Sequence, residues 1–544
     1  MGGSDAEWWS KLRWPPQAQP RWPGPPESHD AIAGVSVALI LVPQALAYAV
    51  LAGMPPRTGV IVAGVAAIAA APFVSARLLQ TGPTAITSLL TFGTLSGIAA
   101  TGTGEYVALA ALLAVMVGLI RIAVGLFEAG EVAYLISQPV LAGFTSAAAI
   151  VIAASQLPKA IGSDGQSEAV VVAAWEALSN VGTWDVEAIA MAAITMVLML
   201  GGKKIHPLFP GVLIAVVGGV IYARTAGYEG ELVGGFPTVF PVLDLDLPLT
   251  TIPDLVAPAL IIALVGFSEA SAIARNFAQS ARMVWDPDRE FVSQGIANLA
   301  SGIFGGFPAG ASFSRSALNR AAGATTPWSG MFTGLAVLAA LPFAAPLESL
   351  PLAVLAGIII GAVLSLMDPR PFLQLRHYSN QQFLISVVTF VLTLVFAPRI
   401  QWAVLVGIVL TVGAHLRRER KLAIPYWQRG ETLHLRPVGI LYFGSVRRLE
   451  AMIRRLSAEH PEVKRLVVHF DAVGRTDVTG ALALRTLFEE IQADGTELQI
   501  VELTPTSEKI IRRVLEDTDL VVTLSDARGE GIAPDAADDV EVAR

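Results

Sequence analysis

Cysteine is absent from the chain, which excludes disulfides, thiolate metal sites and cysteine nucleophiles. Histidine is scarce. The seven present lie outside the centres of the apolar stretches, which argues against a histidine metal cluster. Charge is scarce too: 15% of residues are Asp, Glu, Lys or Arg, against about 25% in ordinary soluble proteins. The net charge of −8 offers no basic excess of the kind a nucleic-acid binder uses. No phosphate loop, metal cluster or nucleophile–base arrangement stands out, so neither enzymatic chemistry nor a cofactor is expected.

What is present is apolar surface. Hydrophobic residues make up 53% of the chain, and the mean hydropathy is +0.60. Few charges fall inside the apolar stretches between 30 and 416, whereas the C-terminal part has the composition of a soluble domain. Residues 1–28 are rich in Trp and Pro and lack the short apolar run after a basic start that a secretion signal needs. They read as a cytoplasmic tail, with Trp8, Trp9, Trp14 and Trp22 suited to the lipid interface.

A bilayer core takes about 20 apolar residues per helix. Fourteen segments are expected, near 30–50, 58–75, 84–99, 106–126, 133–156, 186–201, 208–223, 255–277, 290–305, 312–321, 328–346, 351–366, 381–398 and 401–416. Pro139 and Gly143 could split the fifth. With both termini cytoplasmic, the inside loops carry Arg77, Lys203, Lys204, Arg275, Arg282, Arg370, Arg376, Arg417, Arg418, Arg420 and Lys421. The two longest outside loops carry Asp164, Glu168, Asp185, Glu229, Glu231, Asp244 and Asp246, with Lys159 and Arg224 as their basic residues. That distribution follows the positive-inside rule and places a multi-pass protein in the plasma (cytoplasmic, inner) membrane.

Two segments are interrupted at corresponding places. The third begins at Gly82-Pro83-Thr84 and carries Thr87, Ser88 and Thr91. The tenth is short and follows Gly305-Gly306-Phe307-Pro308-Ala309-Gly310. They are seven segments apart, as two inverted copies would require, and such breaks point to a midplane binding site. The plainer reading is two helices kinked by Gly and Pro. A helix that starts inside the membrane leaves its first N–H groups open, and with its dipole end they attract an anion. Pro83 suits a first helical position. Thr84, Ser312 and Ser314 suit caps or direct donors. Arg315 adds a full charge, unless it is a structural Arg bound to helix carbonyls or snorkelling to the surface. Glu269, midway along the eighth segment, must be protonated, paired or ion-bound at that depth. It could carry a proton or sodium ion with the substrate, or pair with Arg315 or Arg275. Ser268 and Ser271 read as packing residues. Gln44 and Tyr48 share one helical face, with Pro43 beside them.

These residues carry a family resemblance. Val42-Pro43-Gln44-Ala45-Leu46-Ala47-Tyr48-Ala49 with Leu51-Ala52-Gly53-Met54-Pro55-Pro56 resembles the first-helix signature of the SulP (sulfate permease) transporters. Gly82-Pro83-Thr84 resembles the start of their third helix. Ser312-Phe313-Ser314-Arg315-Ser316-Ala317, Asn319 and Ala322-Gly323-Ala324-Thr325-Thr326-Pro327 resemble their tenth-helix motif. The resemblance implies a polytopic α-helical membrane fold of two inverted seven-segment repeats, arranged as a core and a gate domain. It implies substrate binding near Gln44, Tyr48, Thr84, Ser312, Ser314 and Arg315, coupling through Glu269, elevator-like motion and a homodimer. Arg57-Thr58-Gly59-Val60 departs from the aromatic-Gly-Leu-Tyr of many relatives. Family substrates include sulfate, bicarbonate, chloride and dicarboxylates such as fumarate.

After 421 strand-like runs at Thr432–Leu435, Ile440–Phe443, Arg465–Phe470 and Leu498–Leu503 alternate with amphipathic helices near 446–459, 479–493 and 506–516. This predicts a small α/β domain at 431–526, after a linker at 417–430. It resembles a STAS domain. Phe470-Asp471-Ala472-Val473 and Asp477-Val478-Thr479-Gly480 match its strand–loop–helix element, where related regulators carry a phosphorylatable residue at the position of Thr479. More plainly, Asp477 or Thr479 is a helix N-cap. The acidic tail 527–544 is expected to be disordered. The leading expectation is proton-coupled uptake of a small anion, sulfate first, with bicarbonate and dicarboxylates as alternatives. A nucleobase carrier shares the inverted-repeat architecture, but the STAS-like domain and Ser314-Arg315-Ser316 weigh against it. A membrane-anchored STAS scaffold that binds a cytoplasmic protein partner is the alternative of another class.

Overall fold

The computed structural model describes residues 25–163, 167, 169–206, 209–235, 240–281, 284–419, 422–442, 444–515, 522–525 and 541–543. The Trp-rich tail, Asp164, Glu168, Arg282, Arg420 and Lys421 lie outside them. The chain divides into two compact units, residues 1–410 and 411–544.

Every expected apolar segment is a helix. They are α1 (Ser28–Leu51), α2 (Pro56–Ala70), α3 (Ala85–Leu95), α4 (Gly104–Leu126), α5 (Gln138–Ile161), α6 (Val186–Ile205) and α7 (Gly211–Ala226), followed by α8 (Ile252–Ala281), α9 (Pro287–Ile303), α10 (Phe313–Ala321), α11 (Trp328–Ala340), α12 (Leu352–Val363), α13 (Asn380–Val395) and α14 (Gln401–Glu419). Pro139 falls in the first turn of α5, where its missing N–H does no harm, so that helix is not split. Two helices were not expected. Val170–Ser179 lies in the loop after α5, and Arg370–Tyr378 lies between α12 and α13. Both are too short to span a bilayer.

Helices α1–α4 pack with α8–α11, and α5–α7 pack with α12 and α13. The same members of each half therefore join the same group. The closest pairing is α4 against α9, and its cause is legible in small residues seven apart. A Cβ on Gly118 would sit 2.6 Å from the Leu299 nitrogen, one on Gly125 2.4 Å from the Asp288 oxygen, and one on Gly302 2.5 Å from the Ala111 oxygen. The two backbones touch directly, as helices do in lipid where dispersion and close approach replace the hydrophobic drive.

Two-residue strands precede α3 and α10. β1 (Thr81–Gly82) pairs antiparallel with β2 (Gly310–Ala311), Thr81 opposite Ala311 and Gly82 opposite Gly310. Because the pairing is antiparallel, the chain leaves β1 into α3 and β2 into α10 in opposite directions. The two helix starts consequently face one another inside the first unit.

The second unit is a six-stranded sheet in the order β10-β3-β4-β6-β8-β9, with helices on one face. Its strands are β3 (Ile424–Arg429), β4 (Thr432–Leu435), β6 (Arg465–His469), β8 (Glu497–Val501), β9 (Val522–Ser525) and β10 (Glu541–Ala543). A separate parallel pair joins β5 (Gly439–Leu441) to β7 (Val473–Thr476). Leu433, Leu435, Leu466, Val468, Leu498 and Ile500 alternate along the strands and pack on α15 (Val446–Glu459), α16 (Val478–Ala493) and α17 (Pro505–Leu515). Two expectations change. The stretch expected as linker contains β3, which pairs with β4, so the sheet starts at Ile424. Within the tail expected to be disordered, Glu541–Ala543 forms an edge strand against β3. Asp477 is the N-cap of α16 and accepts from the Gly480 N–H at 2.6 Å, while Thr479 is exposed in the first turn.

Candidate functional site

The β1–β2 crossing brings together most of the residues expected to bind an anion. Thr84, rather than Pro83, begins α3: Thr84 is the N-cap and Pro83 lies just before it. The Thr84 hydroxyl accepts from the Thr87 N–H at 3.4 Å and lies 3.0 Å from the Thr87 hydroxyl. Among the described residues the Ala85 and Ile86 amides find no partner. Ser312 occupies the N-cap position of α10 but makes no capping bond, its hydroxyl lying 3.3 Å from that of the exposed Ser314. The amides of Phe313, Ser314 and Arg315 are likewise open among the described residues. Two sets of unused N–H donors therefore lie at the two ends of the β1–β2 ladder.

Arg315 is 1% exposed, and among the described residues none of its three guanidinium nitrogens has a hydrogen-bond partner. A Cβ on Gly82 would lie 3.5 Å from its Nη2, so the guanidinium reaches the β1 backbone. Tyr48 and Glu269 lie within electrostatic reach of it and of one another, without a direct ion pair to it. Gln44, one turn from Tyr48 on the buried face of α1, keeps its Oε1 without a partner. Glu269 is half-buried midway along α8. Ser268 bonds back to the Val265 carbonyl at 2.6 Å, consistent with a packing role.

Sequence reasoning missed a second buried arginine, and it behaves in the opposite way. Arg121, in α4, is fully buried and donates from Nε to the Ala263 carbonyl at 3.1 Å, from Nη1 to that of Ala309 at 3.1 Å and from Nη2 to that of Ile262 at 3.2 Å. Gly266 makes room for it, since a Cβ there would lie 2.5 Å from Nη2. The structural role considered for Arg315 is thus filled by Arg121. The signal was a lone charge in an apolar run, Leu119-Ile120-Arg121-Ile122-Ala123.

A polar row on α9 was also missed, although Glu290, Gln294 and Asn298 recur every four residues on one helical face. Glu290 Oε2 accepts from the Ser75 and Ala76 amides, each at 3.0 Å. Gln294 Nε2 donates to the Thr81 hydroxyl at 2.8 Å. Asn298 accepts from the Ala309 N–H at 2.9 Å and donates to the Ala309 carbonyl at 3.1 Å. One helix thereby fixes the lead-ins to both half-helices. Asp30 at the start of α1 secures the other end of α10, accepting from the Thr325 and Thr326 amides at 2.9 and 3.0 Å.

Comparison with known proteins finds a matching family and similar folds. Residues 28–389 match the profile of the Sulfate permease family, and residues 424–525 match the STAS domain. A curated relative, "Sulfate transporter 4.1, chloroplastic" of Arabidopsis thaliana, is 29% identical over 87% of this chain and 74% of its own length. The inward-facing structure of the murine Solute Carrier 26 family member A9 anion transporter superposes with a TM-score of 0.82 at 20% identity, covering 91% of this chain and 90% of that one. The transmembrane domain of a cyanobacterium bicarbonate transporter, BicA, superposes with a TM-score of 0.60 at 25% identity, covering 71% of this chain and 97% of that one.

Proposed function

The chain belongs to the sulfate permease family of membrane transporters, and from that premise we propose that it takes up a small oxyanion, sulfate first, together with a proton. The observation that carries this reading is Arg315, a buried cation with three unpartnered nitrogens where the starts of α3 and α10 meet. A buried charge needs a partner, and an anion would supply it. Each helix start contributes about half a positive charge, so Arg315 and the two ends sum to about two. Protonated Glu269 leaves that sum intact, which suits a divalent anion. Ionised Glu269 cancels about half of it. Sulfate and the Glu269 proton should therefore bind together and be released together, and this linkage is the coupling. Gln44, Tyr48, Thr84, Ser312 and Ser314 would line the anion's other sides.

Relatives named as sulfate transporters support the choice of anion. Bicarbonate is the second reading, supported by the likeness to a bicarbonate transporter and by the site's lower charge when Glu269 is ionised; a dicarboxylate would fill the same divalent site. The group α1–α4 and α8–α11 carries the whole site, which supports an elevator-like motion of that group against the rest. We extend the reading to a homodimer in the inner membrane with cytoplasmic termini. Thr479, exposed beside the Asp477 cap, is the proposed phosphorylation site, where added negative charge would meet a helix N-terminus.

The test is radiolabelled sulfate uptake into proteoliposomes, with and without an inward proton gradient, with bicarbonate, fumarate and chloride as competitors. Gradient-stimulated uptake is expected, and Glu269→Gln should abolish the stimulation while sulfate–sulfate exchange persists. Folded protein that takes up no sulfate would reject the sulfate assignment. Unchanged stimulation in Glu269→Gln would reject the coupling role.

A further inference from the structure

Gln80 immediately precedes β1 and has been assigned no role. The residue is 1% exposed, and among the described residues neither Nε2 nor Oε1 has a hydrogen-bond partner. A buried carboxamide in that condition is rare, because buried polar groups are almost always paired. Its backbone, by contrast, is fully engaged. The Gln80 N–H donates to the Ser316 hydroxyl at 2.9 Å, and its carbonyl accepts from the Ser312 N–H at 3.1 Å. The residue is thus fastened to the first turn of α10, next to Arg315.

The direction of the side chain follows from strand alternation. Along extended backbone, residues two apart share a side. Thr81 points toward α9, where its hydroxyl meets Gln294. Gly82 presents its bare Cα toward Arg315 Nη2. Gln80 falls on the Gly82 side. Arg315, Gln80 and Gln44 together hold six buried polar atoms without a partner among the described residues.

We propose that Gln80 is a further anion-contacting residue, and that it favours polyatomic oxyanions over halides. The proposal rests on the reading that an anion binds at Arg315. One strand step of two residues spans about 6.6 Å, so the two donor groups approach the site from separate points. An oxyanion offers several acceptor atoms and can accept from Arg315 through one oxygen and from Gln80 Nε2 through another. Chloride accepts from both only where the two donors converge on one atom, so it gains less from Gln80 than an oxyanion does.

The experiment measures KM and maximal rate for sulfate, bicarbonate and fumarate uptake in proteoliposomes, together with inhibition by chloride, for the wild type, Gln80→Met and Gln80→Glu. The methionine keeps the volume and removes the hydrogen bond. It should raise the oxyanion KM roughly tenfold, the change expected for one hydrogen bond to a charged group. Maximal rate and chloride inhibition should stay as in the wild type. The glutamate keeps the shape and adds repulsion, so it should raise KM further, and it gives the same decision if the methionine variant does not fold. An unchanged oxyanion KM, or a change of equal size for chloride, would overturn the assignment of Gln80 while leaving the transport reading intact. A wild type that takes up none of these anions would overturn both.

Discussion

Arg121 and Arg315 can be told apart by replacing each with methionine. In Arg121→Met three hydrogen bonds to carbonyl oxygens disappear. The Ile262 and Ala263 carbonyls belong to α8 and keep their helical partners, and Ala309 retains Asn298, so the loss should be about 3 kcal/mol rather than the full sum for three stranded groups. In Arg315→Met no side-chain hydrogen bond to a described residue is lost. An uncompensated buried charge is removed, and the fold should hold its stability or gain some. Anion binding should move the other way. Truncating one partner of a buried charge pair costs about 2–5 kcal/mol, at least about thirtyfold in Kd. The assay is thermal unfolding of the purified protein with and without sulfate. At a hundredfold excess over Kd a bound anion stabilises by about 2.7 kcal/mol, which is readily seen as a shift in midpoint. The wild type should show the shift. Arg121→Met should show a lower midpoint that still responds to sulfate. Arg315→Met should show an undiminished midpoint with a response cut from about 2.7 to less than about 1 kcal/mol. If Arg315→Met falls as far as Arg121→Met, or responds to sulfate as fully as the wild type, the reasoning about unpartnered nitrogens is wrong.

Two further outcomes follow from the packing and the charges. Gly118→Val should destabilise by about 1–3 kcal/mol, since the side chain would collide with the α9 backbone. Gly218→Val, where a Cβ meets nothing within 4 Å, serves as the control, and equal midpoints for the two would contradict the close α4–α9 approach. In the second unit, burial alone would push the Asp471 carboxyl up, but the hydrogen-bonded Arg436 guanidinium holds it below the usual carboxylate range. A lowered folded-state value means that the pair's contribution is present above about pH 3.9 and is lost as pH falls through the folded-state value. Both partners are partly exposed, so Asp471→Asn should cost less than about 1 kcal/mol at pH 7. Denaturation of a fragment covering 411–544 at pH 7 and pH 3 checks this: the gap should shrink at the lower pH, and one that stays undiminished would count against the pair.

Much of the architecture was legible because its causes are local. Apolar runs must become helices in lipid, where no water can serve the backbone, and each expected span is a helix. The α/β alternation after 421 announced the sheet through the amphipathic periods of α15 and α16. Other elements lacked such a signal. β3 contains Pro425 and directly follows the basic run, so it resembled a linker, and β7 is four residues long with a glycine. The Glu290, Gln294 and Asn298 row was visible as a period of four, but its partners, Thr81 and Ala309, are distant or loop backbone atoms that no spacing identifies.

The sequence by itself determined the spans, the soluble domain, the two broken segments and the candidates Arg315 and Glu269. Each follows from the chemistry of a short stretch: hydropathy, a glycine and proline break, a charge at depth. Only the tertiary structure decided what each buried polar group meets. Arg121 and Arg315 are both lone cations in membrane helices, yet the carbonyls that satisfy one come from residues 262, 263 and 309, far along the chain, and no such group reaches the other. Gln80 is one more polar side chain in the sequence until the β1–β2 crossing buries it without a partner among the described residues. Burial is written along the chain, whereas hydrogen-bond partnership is set by where distant segments arrive, and an anion site is a place where partners do not arrive.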